Sequence, residues 1–468
     1  MNILMFSINP LFPDKINGGS PKHLQNVAIH LGELGHDVTI LCTQRPDNRT
    51  PFAWHEKVQV KPVLKYKQPF PQPYDVPHYD IASIIQIVSD HLKSADRFYI
   101  HDGELLFPPI YEDVPTAISL RDNAYPETKL GSFLFQGDVL IAIAEYSRQL
   151  YLHTAGRFIP DLEGRAITIN NGVDWGFFKP TPAKEILEIA PVDPDKDIIV
   201  LHPHRPEPSK GLYQTVEVVD LLVNHYKVEN LKTLVPRWFE EAISSEVRDY
   251  YQSIETEIEQ RGLVDNFVFH DWIPQTLMPQ YYSLGNVMLA LGHFVEAFGN
   301  TVYESLGCGT PSIAARVATH RSLLPDELLD KVHFGDAETA AKLAYEIITE
   351  RPKPSQATMD YLYEHYSIDK QMAAYADAIL NLEKKPPVHW LQEAINENTR
   401  FVLPPWCYEW EGGFYNDFLS THREIEPLSE LLGAFPRGFS KLEADDYGVP
   451  QNYLDDWYEQ GYLTPAIG

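Results

Sequence analysis

The most informative stretch of the sequence is residues 296–311, which read EAFGNTVYESLGCGTP. It follows the apolar run 287–290, which predicts a buried strand. Gly299 and Asn300 then indicate a turn into a helix. Because the first backbone N–H groups of a helix have no partner within it, we expect those from Gly299 to Val302 to form an anion site.

Two glutamates stand on either side of this predicted turn. Glu296 precedes the helix and Glu304 lies one turn inside it. Their carboxylates are therefore expected to contact different parts of one ligand. Glu304 is placed to accept hydrogen bonds from a sugar diol, and Glu296 to contact a second hydroxylated group.

Strands and helices alternate along most of the chain. The first repeat consists of the apolar run 2–7, a glycine loop, an apolar helical stripe over 24–34 and a second apolar run at 37–42. Ser20 is the predicted N-cap of this helix and Pro21 its first residue. Such a β-α-β repeat is right-handed and places its strands parallel to each other.

The alternation stops at residues 181–197, which are rich in Pro and acidic residues, and resumes at 198. We therefore predict an α/β protein with two Rossmann-like parallel-sheet domains, 1–180 and 198–383, joined by the linker 181–197 and facing a cleft. Residues 384–468 are an aromatic-rich extension predicted to pack on the domains. A structural strap is the favoured interpretation of this extension, and acceptor binding or oligomerisation is the alternative.

Composition excludes several classes of protein. The 468 residues carry 38 Lys and Arg against 66 Asp and Glu, a net charge of −28, and 44% are hydrophobic. These values exclude wholesale disorder and fibrous repeats, and disfavour a surface that wraps nucleic acid. No apolar run approaches the length of a membrane span, no signal peptide is recognisable, and the three cysteines are scattered. We expect a cytoplasmic protein with no transmembrane segment.

The block 296–311 resembles the signature of the retaining glycosyltransferases of family 4, in which two glutamates seven residues apart are followed by Gly-x-Pro. Three other segments resemble that family in the same order. They are the glycine loop Gly18-Gly19, the stretch 170–174, which reads NNGVD, and the pair Arg205 and Lys210-Gly211. The resemblance covers residues 1–380.

The resemblance implies a GT-B fold, with a second domain like that of glycogen synthase. It also implies transfer of a hexosyl or pentosyl group, with retention, from a UDP- or GDP-linked sugar to an acceptor hydroxyl, without a metal or other cofactor. Arg205 and Lys210 are expected to stabilise the departing diphosphate, and Glu296 to contact the transferred sugar. The implied donor-binding residues are Gly18, Gly19, Arg205, Lys210, Phe298, Gly299, Asn300, Thr301 and Glu304.

Two positions depart from the family pattern. His204 stands where the family often has Gly before the arginine. Arg121 stands where a histidine often ends a strand of the first domain, and His101 is the alternative occupant of that catalytic position. Two rival functions follow: a GT-B nucleotide-sugar epimerase or phosphorylase, and a non-catalytic sugar-nucleotide-binding protein.

A basic patch runs against the overall charge. Its principal members are Lys57, Lys61, Lys65 and Lys67. Such a patch suits an anionic acceptor, such as a phospholipid, a phosphorylated glycan or a nucleic acid strand. The alternative is a charged strand edge that resists aggregation. The Asp-x-Asp sequence at 193–195 lies in the Pro-rich stretch and is interpreted as a solvated turn rather than a metal site.

Overall fold

The computed structural model describes all residues except 15, 17, 68–72, 104, 205–206, 238–244, 392–394, 397 and 468, and the side chains of 245 and 246. The chain divides into two compact units. The first comprises residues 1–170 together with 370–468, and the second comprises residues 171–369.

The N-terminal part of the first unit alternates strands with helices. Its strands are β1 (Asn2–Ser7), β2 (Asp37–Thr43), β3 (Phe52–His55), β4 (Val58–Leu64), β5 (Arg97–His101), β6 (Thr116–Leu120), β7 (Val139–Ala142) and β8 (Ala166–Thr168). Its helices are α1 (Gly19–Glu33), α2 (His78–Leu92), α3 (Pro126–Phe133) and α4 (Glu145–His153). The strands form one sheet in the order β3-β4-β2-β1-β5-β6-β7-β8, and neighbours are parallel except for β3 with β4.

The second unit has a parallel sheet of its own. Its strands are β9 (Ile198–Leu201), β10 (Leu231–Pro236), β11 (Phe267–His270), β12 (Val287–Ala290), β13 (Ser312–Ala315) and β14 (Asp330–Val332), in the order β11-β10-β9-β12-β13-β14. Its helices are α5 (Leu212–Asp220), α6 (Ser245–Gln260), α7 (Met278–Ser283), α8 (Asn300–Gly307), α9 (Ala337–Glu350) and α10 (Gln356–His365).

The chain then returns to the first unit through α11 (Ile368–Leu380). The extension that follows contains short strands and helices. They are β15 (Phe401–Val402), β16 (Cys407–Trp410), β17 (Gly413–Asn416), β18 (Thr421–Glu424), α12 (Glu426–Ala434), α13 (Lys441–Asp446), α14 (Gln451–Glu459) and β19 (Thr464–Pro465). β16, β17 and β18 form an antiparallel sheet, and β15 pairs with β19.

The predicted fold class, α/β with two parallel-sheet domains, is confirmed. The apolar runs at 2–7 and 287–290 form strands with the predicted bounds. Burial explains this success, because strands covered on both faces are continuously apolar in sequence. Strands that carry polar residues were missed, above all β4, in which lysine and glutamine alternate with buried valines.

The start of α1 corrects one prediction. The helix begins at Gly19, and its N-cap is Gly18, which has φ of 100° and provides no side-chain cap. Ser20 is therefore not the N-cap. Its hydroxyl lies 3.0 Å from Nε2 of His101 at the end of β5, so it serves a contact between segments distant in sequence.

The borders of the units differ from the predicted domain boundaries. The backbone N–H of Thr181 donates to the Ser283 hydroxyl at 3.0 Å, and that of Lys184 to the Gln280 side chain at 2.9 Å. Ile186 is fully buried as well. The stretch predicted as a linker therefore packs on α7 of the second unit, while α11, predicted to belong to the second domain, lies largely in the first unit.

The extension packs on the first unit through buried polar contacts. The Tyr146 hydroxyl on α4 donates to the Asp417 carboxylate at 2.7 Å. The Thr464 hydroxyl donates to the carbonyl of His153 at 3.0 Å. Hydrogen bonds at both ends of α4 thus hold the extension in place.

Among the described residues, no helix combines the length and the apolar character needed to cross a bilayer.

Candidate active site

The loops after β9 and β12 leave neighbouring strands of the second sheet and pack closely together. Gly211 has φ of 82°, and a Cβ there would lie 2.5 Å from the backbone nitrogen of Gly292. The backbone N–H of His293 donates to the carbonyl of Ser209 at 2.9 Å. Only glycine permits this approach, and the approach fixes the position of Lys210 next to the loop that carries Glu296.

Lys210 and Glu296 form an ion pair. The ammonium nitrogen lies 2.6 Å from Oε1 of the carboxylate and 3.6 Å from the centroid of the Phe294 ring. The two side chains are 15% and 26% exposed. Burial acts to raise the pKa of Glu296, but the charge and hydrogen bond of Lys210 outweigh it, and the pKa falls below its ordinary value. The carboxylate is therefore ionised at neutral pH, and it orients the ammonium group.

Helix α8 begins at the end of the same loop. Its N-cap, Gly299, has φ of 80°, and no side chain caps the helix. The side-chain amide of Asn171 donates to Oδ1 of Asn300 at 3.2 Å. The backbone N–H of Val302 donates to the Gly299 carbonyl at 3.2 Å, so it is already used within the turn. The backbone N–H of Val302 is therefore already engaged, and the prediction of an anion site keeps only the N–H groups from Gly299 to Thr301.

Glu304 lies inside α8 and is held by a buried tyrosine. The Tyr282 hydroxyl donates to Oε2 of Glu304 at 3.0 Å. Burial raises the pKa of Glu304 to about 7, although the Tyr282 hydrogen bond opposes the shift. At neutral pH Glu296 is therefore ionised, because Lys210 offsets the effect of its burial, whereas burial leaves Glu304 only partly ionised.

His320 is a member of this site that the sequence analysis missed. It is 6% exposed, and a Cβ on Gly299 would lie 2.3 Å from its Cε1 atom. Burial lowers its pKa to about 4, although the Glu296 charge opposes the shift. Its Nδ1 atom has no hydrogen-bond partner among the described residues. Gly299 thus leaves room for a neutral imidazole at the start of α8. His320 follows β13 along the chain, and no motif of the sequence analysis includes it.

His202 and His204, which precede Arg205, both form hydrogen bonds within the second unit. Nε2 of His204 donates to the carbonyl of Leu289 at 3.0 Å, and burial lowers the pKa of His204 to about 4. Nδ1 of His202 lies 3.0 Å from the Thr215 hydroxyl. His204 therefore ties the loop after β9 to β12. Arg205, the second predicted diphosphate ligand, lies outside the described residues.

The first unit contains a separate buried cluster around His101. Nε2 of this imidazole lies 3.0 Å from both the hydroxyl and the carbonyl of Ser20, and Nδ1 lies 3.0 Å from the Tyr99 hydroxyl. Burial, and then the Arg121 charge, lower the pKa of His101 well below its ordinary value. The imidazole is therefore neutral.

Arg121 belongs to the same cluster. Its Nη1 donates to the Tyr375 hydroxyl at 3.1 Å, and that hydroxyl also lies 3.1 Å from the Ser119 hydroxyl. The ring of His23 stacks on His101 with centroids 5.7 Å apart. The two alternatives for the family's histidine position therefore lie together. His23 and Tyr375 were missed, because α1 and α11 contribute them from segments far apart in sequence.

The second unit resembles a known protein family in sequence. Residues 184–359 match the family model "Glycosyl transferases group 1". The matched segment lies within the second unit and contains Lys210, Glu296, Glu304 and His320. No curated protein matches the chain in sequence.

Solved structures resemble both units. Sucrose-phosphate synthase from Thermosynechococcus elongatus has a TM-score of 0.63 at 16% identity, covering 80% of this chain and 97% of its own. Anabaena Alr3699/HepE, in complex with UDP and glucose, has a TM-score of 0.63 at 17% identity, covering 81% and 99%. The E. coli structure described as trehalose-6-phosphate bound with UDP-2-fluoro glucose has a TM-score of 0.61 at 13% identity, covering 83% and 100%. At these identities the likeness shows the fold, which is GT-B.

The four predicted acceptor-side lysines all have partners. Lys57 pairs with Asp37 at 2.9 Å, Lys65 pairs with Asp80 at 3.2 Å, and Lys67 pairs with Asp75. The Lys61 ammonium lies 3.2 Å from Nε2 of His91. Neighbouring side chains therefore balance much of the charge that the sequence pattern suggested.

The Asp-x-Asp sequence forms a local turn. Asp193 accepts from the Lys196 ammonium at 2.6 Å and from the backbone N–H of Asp195 at 3.2 Å. In the part of the chain that the structure describes, no group of three or more His, Cys, Asp or Glu side chains is arranged to hold a metal ion.

Proposed function

We propose that the protein is a glycosyltransferase that moves a hexosyl or pentosyl group from a nucleoside-diphosphate sugar to an acceptor hydroxyl, with retention and without a metal ion. The observation that carries the proposal is the Lys210–Glu296 pair, held beside the start of α8 within the segment that matches glycosyl transferases group 1. A cation and a helix N-terminus stabilise the charge that develops on a departing diphosphate.

UDP is the favoured nucleotide of the donor, and GDP is the alternative. Two of the structural relatives are described in complex with UDP or a UDP-sugar. This support for UDP comes only from likeness of fold. The residues of the site support a nucleoside-diphosphate sugar as the donor. The donor diphosphate lies against Lys210 and the first N–H groups of α8. Glu304 accepts from a donor hydroxyl and Glu296 contacts the transferred sugar.

In the proposed reaction the bond between the anomeric carbon and the diphosphate oxygen breaks, and the acceptor oxygen bonds to the same carbon on the same face. The acceptor proton passes to an oxygen of the leaving diphosphate. Lys210 stabilises the negative charge on that diphosphate. The neutral His101 and the Arg121 guanidinium orient the acceptor or donor hydroxyl groups, and they carry no covalent step.

A thermal-shift experiment on the full chain tests this proposal. UDP, GDP, ADP and their common sugar conjugates are added with Mg²⁺ or with EDTA. We expect a base-selective rise in melting temperature that persists in EDTA, since a ligand at one hundred times its Kd stabilises by about 2.7 kcal/mol. Lys210→Ala removes the shift, whereas Lys342→Ala, a mostly exposed lysine of the same unit, retains it.

The product then tests the stereochemistry. With the donor and a hydroxylated acceptor identified, NMR of the anomeric proton shows whether its configuration is retained. No shift with any nucleotide would contradict the proposal, and a shift that disappears in EDTA would contradict metal independence. Sugar release without any acceptor would favour an epimerase or phosphorylase instead.

A further inference from the structure

A cavity of about 320 Å³ lies where the extension packs against α3 and α4. All its lining residues belong to the first unit. Large apolar side chains form most of its wall: Phe133, Leu150, Tyr151, Trp406, Phe418 and Leu419. The extension contributes half of these side chains, so it completes the cavity.

Several polar groups of this wall already form hydrogen bonds within the protein. The indole N–H of Trp406 donates to the Gly461 carbonyl at 2.8 Å, and the Asn416 amide donates to the same carbonyl at 3.2 Å. Oδ1 of Asp122 accepts from the backbone N–H groups of Ala124 and Tyr125, both at 2.7 Å. A sugar ring needs several polar partners inside its pocket, and these groups have little capacity left for one.

The tip of the extension presents apolar side chains to solvent beside the cavity. Phe418 and Leu419 are 46% and 50% exposed. Their backbone N–H groups donate to Oδ1 of Asn416 at 3.0 and 3.2 Å, and the neighbouring Asp417 is anchored to Tyr146. The tip is thus held firmly in an exposed position, which indicates a surface that a ligand covers.

A second cavity, of about 230 Å³, lies in the same unit. Phe133 lines both cavities, and the second is also lined by Leu106, Leu134 and Trp390. The Trp390 ring stacks on Phe158 with centroids 5.4 Å apart. Two apolar cavities that share a lining residue fit a long, narrow ligand better than a compact one.

We propose that the cavity between the extension, α3 and α4 binds the aliphatic chain of an amphipathic molecule, with its polar head at the mouth near Lys129, Glu459 and Gln460. The second cavity receives the end of a longer chain. The site gives the extension a binding role in addition to its packing role. That the amphipathic molecule is the glycosyl acceptor rests on the proposed function, whereas the binding of its chain does not.

Isothermal titration with alkyl β-D-glucosides tests the site directly, without nucleotide. Hexyl, heptyl and octyl glucosides are used below their critical micelle concentrations. Affinity is expected to rise about fourfold per added methylene, the factor that corresponds to burying one CH₂ group. Methyl glucoside and maltose are expected not to bind measurably at the same concentrations.

A matched pair of variants locates the binding. Leu419→Asp places a charge on the exposed tip and is expected to weaken octyl glucoside binding about tenfold or more. Leu442→Asp makes the same change at a 60% exposed position on α13 of the same extension, away from the cavity, and leaves binding unchanged. Circular dichroism and melting temperature confirm that both variants fold.

Each outcome of the titration bears on the proposal. Equal affinity for methyl and octyl glucoside, or equal loss in the two variants, overturns it. Chain-length-dependent binding that Leu419→Asp weakens supports it. If that binding occurs but no nucleotide binds and no sugar is transferred, the aliphatic site stands and the proposed glycosyltransferase function fails.

Discussion

Each unit contains a cluster of buried polar side chains, and the two clusters differ in how they accommodate charge. In the second unit, opposite charges meet directly, and Lys210 keeps the pKa of Glu296 low despite burial. In the first unit, the Arg121 guanidinium lies near buried imidazoles and hydroxyls and near the Asp102 carboxyl, whose pKa burial raises, and burial together with the Arg121 charge keeps the pKa of His101 well below normal. The cluster of the second unit therefore holds the Glu296 carboxylate in its charged state beside the neutral His320, whereas the cluster of the first unit holds His101 and His23 in their neutral state.

This difference suggests a division of roles. A fixed ion pair at the start of a helix suits a ligand whose charge changes during a reaction. A neutral network of hydroxyls and imidazoles suits the orientation of hydroxyl groups, for which both hydrogen-bond donors and acceptors are needed. Three variants test this division of roles.

Removal of Lys210 is expected to have the largest effect. Lys210→Ala leaves Glu296 without its cationic partner, so that the pKa of Glu296 rises, and it removes the positive charge of this ion pair. Turnover of the nucleotide sugar is expected to fall about 10²- to 10³-fold, as when one charge-stabilising donor is lost from an active site. Steady-state kinetics with the donor identified by thermal shift measures the loss.

The control for this variant is Lys342→Ala on α9, which is expected to keep full turnover. If Lys210→Ala retained more than a tenth of the activity, the ion pair would have only a structural role. The contrast between a charged and a neutral cluster would then have no catalytic meaning.

Glu304→Gln is expected to have an intermediate effect, and it depends on pH. The pKa of Glu304 is raised to about 7 in the folded protein, so ionising this group costs folding free energy. The wild-type protein therefore loses stability as pH rises from about 4.5 to 7, by at most about 3 kcal/mol, since one unit of pKa corresponds to about 1.4 kcal/mol. The amide does not ionise and avoids this loss.

Thermal unfolding without ligand measures this difference. Glu304→Gln should unfold at a higher temperature than wild type at pH 8 and at nearly the same temperature at pH 4.5. Glu350→Gln, an exposed position at the end of α9, is the matched control and should not differ at either pH. A wild-type advantage at pH 8 would show that Glu304 is ionised there at no cost.

Features of the molecule that short local motifs encode could be predicted from the sequence, whereas features that depend on tertiary packing could not. Glu296, Glu304 and Lys210 stand in short motifs next to predicted strands, and the structure brings the first and last within 2.6 Å. Other members of the two clusters come from segments distant in sequence, so no spacing in the sequence predicts them. They are Tyr282 and His320 in the second unit, and His23 and Tyr375 in the first. The return of α11 to the first unit likewise depends on tertiary packing, because its own apolar pattern suits either unit.

Arg121→Gln is expected to have the smallest effect. It tests how far the Arg121 charge keeps the histidines of the first unit neutral. The variant loses the guanidinium charge, so the pKa values of His101 and His23 rise. Both remain below the ordinary value, because burial is the larger cause. The variant also weakens the hydrogen bond to Tyr375, which costs stability of about 1 kcal/mol.

NMR titration of the histidine Cε1 protons follows these pKa values, and Arg97→Gln is the matched control. Arg97 stands at the opposite end of β5 from His101 and donates to the carbonyl of Leu380. Its loss should leave both imidazoles unchanged. If His101 titrated near its ordinary pKa in the wild-type protein, the neutral cluster would not exist, and a charged imidazole beside Arg121 would need an anionic ligand between them. The titration therefore decides whether the first unit orients hydroxyl groups or binds charge.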